Sequence, residues 1–101
     1  MHLIQLLLPL ADNEGRPFDA TVLAALRRDL AERFGGLTAY TRAPAEGVWA
    51  HDGKRDRDDI VVVEVMTENL DRGWWKGLRL RLERDLRQQS ILIRCHEVEV
   101  L

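Results

Sequence analysis

The sequence predicts an α+β domain of the ferredoxin-like class: a four-stranded antiparallel sheet in βαββαβ order with two helices on one face, able to pair as a dimeric α+β barrel. Three observations carry this. Segments of strand period and helix period follow one another as β-α-β-β-α-β along 101 residues, a length that suits one domain over 1–101. The two halves echo each other, because Leu26-Arg27-Arg28-Asp29-Leu30 matches Leu82-Glu83-Arg84-Asp85-Leu86 at four of five positions. The right-handed crossover rule then sends both helices to the same side of the sheet.

Residues 2–8 are a short, nearly continuous apolar run closed by Pro9, which reads as a buried strand. Turn chemistry follows in Ala11-Asp12-Asn13-Glu14-Gly15-Arg16-Pro17. Asp19 is the expected N-cap of helix one, with Phe18 stapled to Leu23. Leu23, Leu26, Leu30 and Phe34 recur at three- and four-residue steps, and Gly35-Gly36 stops the helix with residues that tolerate a left-handed backbone. Residues 37–42 alternate in strand period and form strand two.

Residues 43–59 read as a polar loop, with Asp52-Gly53 a hairpin-turn candidate and Val48-Trp49 able to extend strand two. Ile60 to Met66, β-branched and broken only by Glu64, belongs at the centre of the sheet. Leu70-Asp71 repeats the staple-and-cap pattern ahead of helix two, expected from about 72 to 89, whose buried stripe is Trp75, Leu78, Leu82 and Leu86. Residues 91–100 supply the last strand.

Fifteen Lys+Arg against seventeen Asp+Glu leave a net charge of -2, which lacks the signature of a nucleic-acid binder. Helix two has a basic side, from Arg72 to Arg87, but the central strands offer no stacking aromatics for RNA. It reads as a solvated face. The first apolar run is far shorter than the ~20 residues of a membrane span. The lone Cys95 excludes an intramolecular disulfide and a zinc cluster, so a reducing cytoplasm is the expected compartment and an inert, helix-facing thiol the expected role. His51 with Asp52, Asp56, Asp58 and Asp59 matches neither zinc nor calcium spacing, and no phosphate loop or nucleophile elbow is present, so no metal or cofactor is expected.

Alternation assigns the sheet faces. Ile4, Leu6, Leu8, Val61, Val63, Val65, Ile91, Ile93 and Cys95 should face the helices. Leu3, Gln5, Leu7, Ile60, Val62, Glu64, Met66, Leu92, Arg94 and His96 should face away, with Thr38, Tyr40 and Arg42 from strand two. That outer face is too apolar to be simply wet, which marks a partner surface, a second copy foremost, or a small-molecule site. Its polar members, Gln5, Tyr40, Glu64, Arg94 and His96, with Trp49 from the loop, are the ligand-binding or interface candidates. A carboxylate, an imidazole and a phenol converging among apolar groups suit acid/base work; a Glu64–Arg94 ion pair with Tyr40 and His96 as packing residues is the simpler expectation. In the adjacent Trp74-Trp75 pair, Trp75 fits the core and Trp74, with Trp49, is a candidate lid or dimer contact.

In Phe34-Gly35-Gly36-Leu37-Thr38-Ala39-Tyr40, Gly47-Val48-Trp49 and Asp58-Asp59-Ile60-Val61-Val62-Val63-Glu64, the chain resembles a family of small bacterial proteins of unknown function. The shared pattern is a Gly-Leu-Thr strand start, a Gly-x-Trp loop and an apolar third strand. The resemblance implies a ferredoxin-like fold and a bacterial origin, and it brings no catalytic residue or cofactor.

Overall fold

The computed structural model describes residues 1–11, 16–17, 20–51 and 54–101, those at 41–51 and 54–59 by backbone alone. The chain runs β1 (His2–Pro9), α1 (Ala20–Phe34), β2 (Thr38–His51), β3 (Lys54–Thr67), α2 (Arg72–Asp85) and β4 (Leu92–Glu97). All four strands join one sheet in the order β2-β3-β1-β4, every neighbouring pair antiparallel. This is the ferredoxin-like α+β arrangement.

The core follows from strand alternation meeting two amphipathic stripes. Ile4, Leu6 and Leu8 of β1 and Val61, Val63 and Val65 of β3 point to the same side, where Leu26 and Leu30 of α1 and Trp75, Leu78 and Leu82 of α2, with Leu86 at its C-cap, close over them. Ile91 completes the cluster, and Leu23, Phe34 and Ile93 pack half-buried against it. Burial of this kind contributes roughly 1.5–3 kcal/mol for each large apolar side chain. The helices meet in an aromatic seam: Phe34 stacks on Trp75 at 5.2 Å and meets Trp74 edge-on at 5.4 Å. The Arg33 guanidinium lies 4.3 Å from the Trp74 ring centre. Trp74 therefore packs on the helix–helix seam.

Helix ends are set by local chemistry. Asp71 is the N-cap of α2, its carboxylate accepting from the Trp74 N–H at 3.0 Å. Gly35 takes φ +79° at the end of α1, and its N–H donates to the Ala31 carbonyl. The Asp19 cap and Phe18 staple lie outside the described residues. The second helix is shorter than its apolar stripe suggested. Gln88 donates to the Glu83 carbonyl and Arg87 to that of Arg84, with Arg87 left-handed at φ 50°. This Schellman closure turns the chain without a glycine, so composition held no stop signal there.

Three further expectations are corrected. The stretch at 43–59 is the outer part of a long hairpin: the register runs from Ala45 opposite Ile60, level with Pro9 at the end of β1, to His51 opposite Lys54. The Asp52-Gly53 turn itself lies outside the described residues. Between Tyr40 and Ala45 the register shifts, a bulge that bends β2. Ile60 sits beside that shift and is buried, although alternation placed it on the open face. Cys95 is exposed, because β4 is the edge of the sheet and has a strand neighbour on one side only.

Gly77 lies inside α2 with nothing within 4 Å of where a Cβ would stand. Gly77→Ala should stabilise the domain by about 1 kcal/mol through helix propensity, and Asp71→Ala should cost about as much through the lost cap. Thermal denaturation reads both as Tm shifts of opposite sign, each of about 4–8 °C.

Candidate functional site

The open face of the sheet is ordered by its register into rows that cross the strands. One row is Thr38, Glu64, Gln5 and Arg94, each directly opposite the next. On one side of it lie Tyr40, Val62, Leu7 and Leu92, and on the other Met66, Leu3 and His96. A polar row is thus flanked by apolar ones. Leu3, Leu7 and Val62 are half-buried by their neighbours, while Met66 (49%), Leu92 (41%) and Tyr40 (53%) are exposed. Among the described residues, neither α1 nor α2 covers this side.

Hydrogen bonds connect the sheet from edge to edge. Tyr40 on β2 donates its hydroxyl to Glu64 Oε1 at 3.0 Å. Gln5 on β1 donates Nε2 to Glu64 Oε2 at 2.6 Å, and its Oε1 accepts from Arg94 Nε on β4 at 2.8 Å. The direct cross-strand pairs Glu64–Gln5 and Gln5–Arg94 place side chains within reach, and the Tyr40 ring spans the longer diagonal from its position opposite Val62. Glu64 is the node of this chain. Its carboxylate holds the Tyr40 phenol above the ordinary value of 10.0, first by accepting the hydroxyl proton and second by its charge.

Of the sequence candidates, Gln5, Tyr40, Glu64 and Arg94 are brought together. His96 shares the face but has no hydrogen-bond partner among the described residues. Trp49 lies on β2, its side chain outside the described residues. The expected Glu64–Arg94 ion pair does not form, because Gln5 stands between the strands that carry them. Neither charge has an ion-pair partner among the described residues. Glu64 is thus engaged on both carboxylate oxygens, by the Tyr40 phenol and by the Gln5 amide.

One residue that no sequence pattern singled out fixes the position of β4. Glu83 on α2 pairs with Arg79 at 3.2 Å and accepts from the Ile91 N–H at 2.8 Å, tying the start of the edge strand to the helix. A cleft of about 520 Å³ opens beside the polar row, lined by Leu3, Glu64, Val65 and Met66 from β1 and β3 and by Phe34-Gly35-Gly36-Leu37-Thr38 at the α1–β2 junction. At this junction Phe34 read as part of the helix stripe, Gly35-Gly36 as a helix stop and Leu37-Thr38 as the start of strand two, so no sequence pattern signalled a cleft there. Among the described residues no group of His, Cys, Asp and Glu is placed to hold a metal ion.

No protein-family model matches the chain, and no curated protein is similar to it in sequence. The Gly-Leu-Thr and Gly-x-Trp pattern is therefore given no family by these comparisons. Solved structures are similar in fold. A phage SAM lyase in complex with S-methyl-5'-thioadenosine has a TM-score of 0.65 at 16% identity, over 95% of this chain and 80% of its own. The apo state of a phage SAM lyase gives 0.64 at 14% identity, over 95% and 79%. The divalent cation tolerance protein CutA1 from Thermus thermophilus gives 0.62 at 12% identity, over 97% and 84%. The chain has the same fold as these proteins.

Tyr40 is the single tyrosine, so phenolate absorbance reports it alone. Glu64→Gln should bring its pKa down toward 10.0 by removing the charge that raises it. The folded-state value is raised, so the contact stabilises the protein below the ordinary phenol pKa and is lost as pH rises through the folded one. An unchanged alkaline titration in the variant would refute the contact.

Proposed function

We propose that the chain is a homodimerising accessory or interaction domain that pairs through its open sheet face. The observation that carries this reading is the apolar rows: Leu3, Leu7 and Val62 at their centre, with exposed Met66 and Leu92 beside them, on a side that neither helix covers. Exposed apolar surface of this extent, here two rows on either side of a polar one, is the mark of a partner site. Leu7 stands between Val62 and Leu92 in its row, so it is the position where a charge does most damage. The wild-type chain at about 50 µM should run as a dimer in size-exclusion chromatography with light scattering, and Leu7→Lys should run as a monomer, because an unpaired buried charge costs several kcal/mol. A wild-type monomer would overturn the reading.

A second reading, a small-molecule binding protein or enzyme, is favoured by the cleft beside Glu64. Its lining combines one carboxylate and the Thr38 hydroxyl with Leu3, Phe34 and Met66, and its volume falls in the range of ligand pockets. One structure of the same fold carries S-methyl-5'-thioadenosine, which makes that compound the first probe. Phe34 both lines the cleft and stacks on Trp75. Saturable change in tryptophan fluorescence on titration, abolished in Glu64→Ala, is the expected result; a flat titration would count against this reading.

A further inference from the structure

The polar row is asymmetric, and the asymmetry says how two copies would meet. Its acidic member, Glu64, is on β3, and its cationic member, Arg94, is on β4, with β1 and its Gln5 between them. Two strand spacings keep the charges about 10 Å apart within one chain. Each is bound by neutral groups, and among the described residues neither is neutralised: Glu64 accepts from Gln5 and Tyr40, and Arg94 spends its Nε on Gln5, leaving its terminal guanidinium nitrogens with no partner there.

Resting on the sheet-face homodimer above, we propose that two copies stack face to face about a two-fold axis running along the strands, so that Glu64 of each meets the partner's Arg94. A rotation about that direction reverses the strand order and keeps the level along the strands. With that axis over β1, the row Glu64-Gln5-Arg94 is laid over its own reverse, which sets each Glu64 over the partner's Arg94 and Gln5 over the partner's Gln5. Apolar rows fall on themselves in the same way, with Val62 over the partner's Leu92 and Leu7 over the partner's Leu7. The other face-to-face choice, an axis across the strands, lays β3 on β3 and sets the two Glu64 carboxylates against each other. Like charges in contact are strongly disfavoured, whereas complementary pairs fix the register of an interface. The charge pattern therefore selects a second copy as the occupant and one orientation for it.

The test uses two single variants of the full chain. Glu64→Lys alone sets an ammonium against the partner's Arg94, and Arg94→Glu alone sets two carboxylates together, so each should self-associate at least about 100-fold more weakly than wild type. Mixed in equal amounts, they should form a heterodimer, because the two cross-contacts are then the introduced lysine with the glutamate that replaces Arg94 on one side and the native Arg94 with the native Glu64 on the other. The chain carrying both changes should regain the homodimer, which shows that neither substitution acts by spoiling the fold. Light scattering with one variant tagged reads every case. Singly defective variants that stay apart on mixing would overturn the orientation while leaving the sheet-face dimer standing. A monomeric wild type would overturn both, and single variants that remain dimeric would overturn the orientation, with Leu7→Lys then deciding whether the sheet face is the interface.

Discussion

Both crossovers of a βαββαβ chain lay their helices on the same side of the sheet, and that constraint governs the rest of this molecule. One side of each strand must then be apolar enough to meet Leu26, Leu30, Leu78 and Leu82, and the other is left to whatever the protein meets. In β1 the division is sharp. Ile4, Leu6 and Leu8 are sealed, while Leu3, Gln5 and Leu7 alternate with them on the face away from the helices. Had the second face served only solvent, it would need charges at each of those positions. It carries them in one row alone.

Legibility from the sequence follows the range of the interaction. Period-two alternation in β1 and β3 and the i, i+3, i+4 leucines of both helices are local patterns, and they placed the core stripes and the sheet order correctly. In the sheet β1 and β3 are central, and that sets Glu64 and Arg94 on either side of Gln5. Where several backbone solutions satisfy the same residues, the sequence was silent. The Schellman turn at Arg87 uses a residue with no special tolerance of positive φ, and the hairpin through 45–60 is built from residues whose charge reads as loop.

The misjudged details share a physical origin. Cys95 alternates inward as predicted, but alternation reports only direction, and burial also needs neighbours on both sides, which an edge strand lacks. Glu64 and Arg94 are on the same face and at the same level, as expected, yet attraction between opposite charges does not decide their contact. The intervening strand does. Side chains two strands apart meet only by reaching over the residue between them, and Gln5, with a donor and an acceptor on one amide, engages both instead.

That amide is the reason the charges remain available. A hydrophobic residue at position 5 would leave Glu64 and Arg94 with less reason to lie in the plane of the row, and a second carboxylate there would neutralise Arg94 within the chain. Glutamine does neither: it holds the carboxylate through Nε2 and the guanidinium through Oε1 while adding no charge. Hydrogen bonds to charged groups are individually short and directional, so Gln5 holds the carboxylate on one side and the guanidinium on the other, and the two do not meet within the chain. Charge that is not satisfied inside the chain, on a face too apolar to favour water, is then most readily satisfied by the same row approaching in reverse.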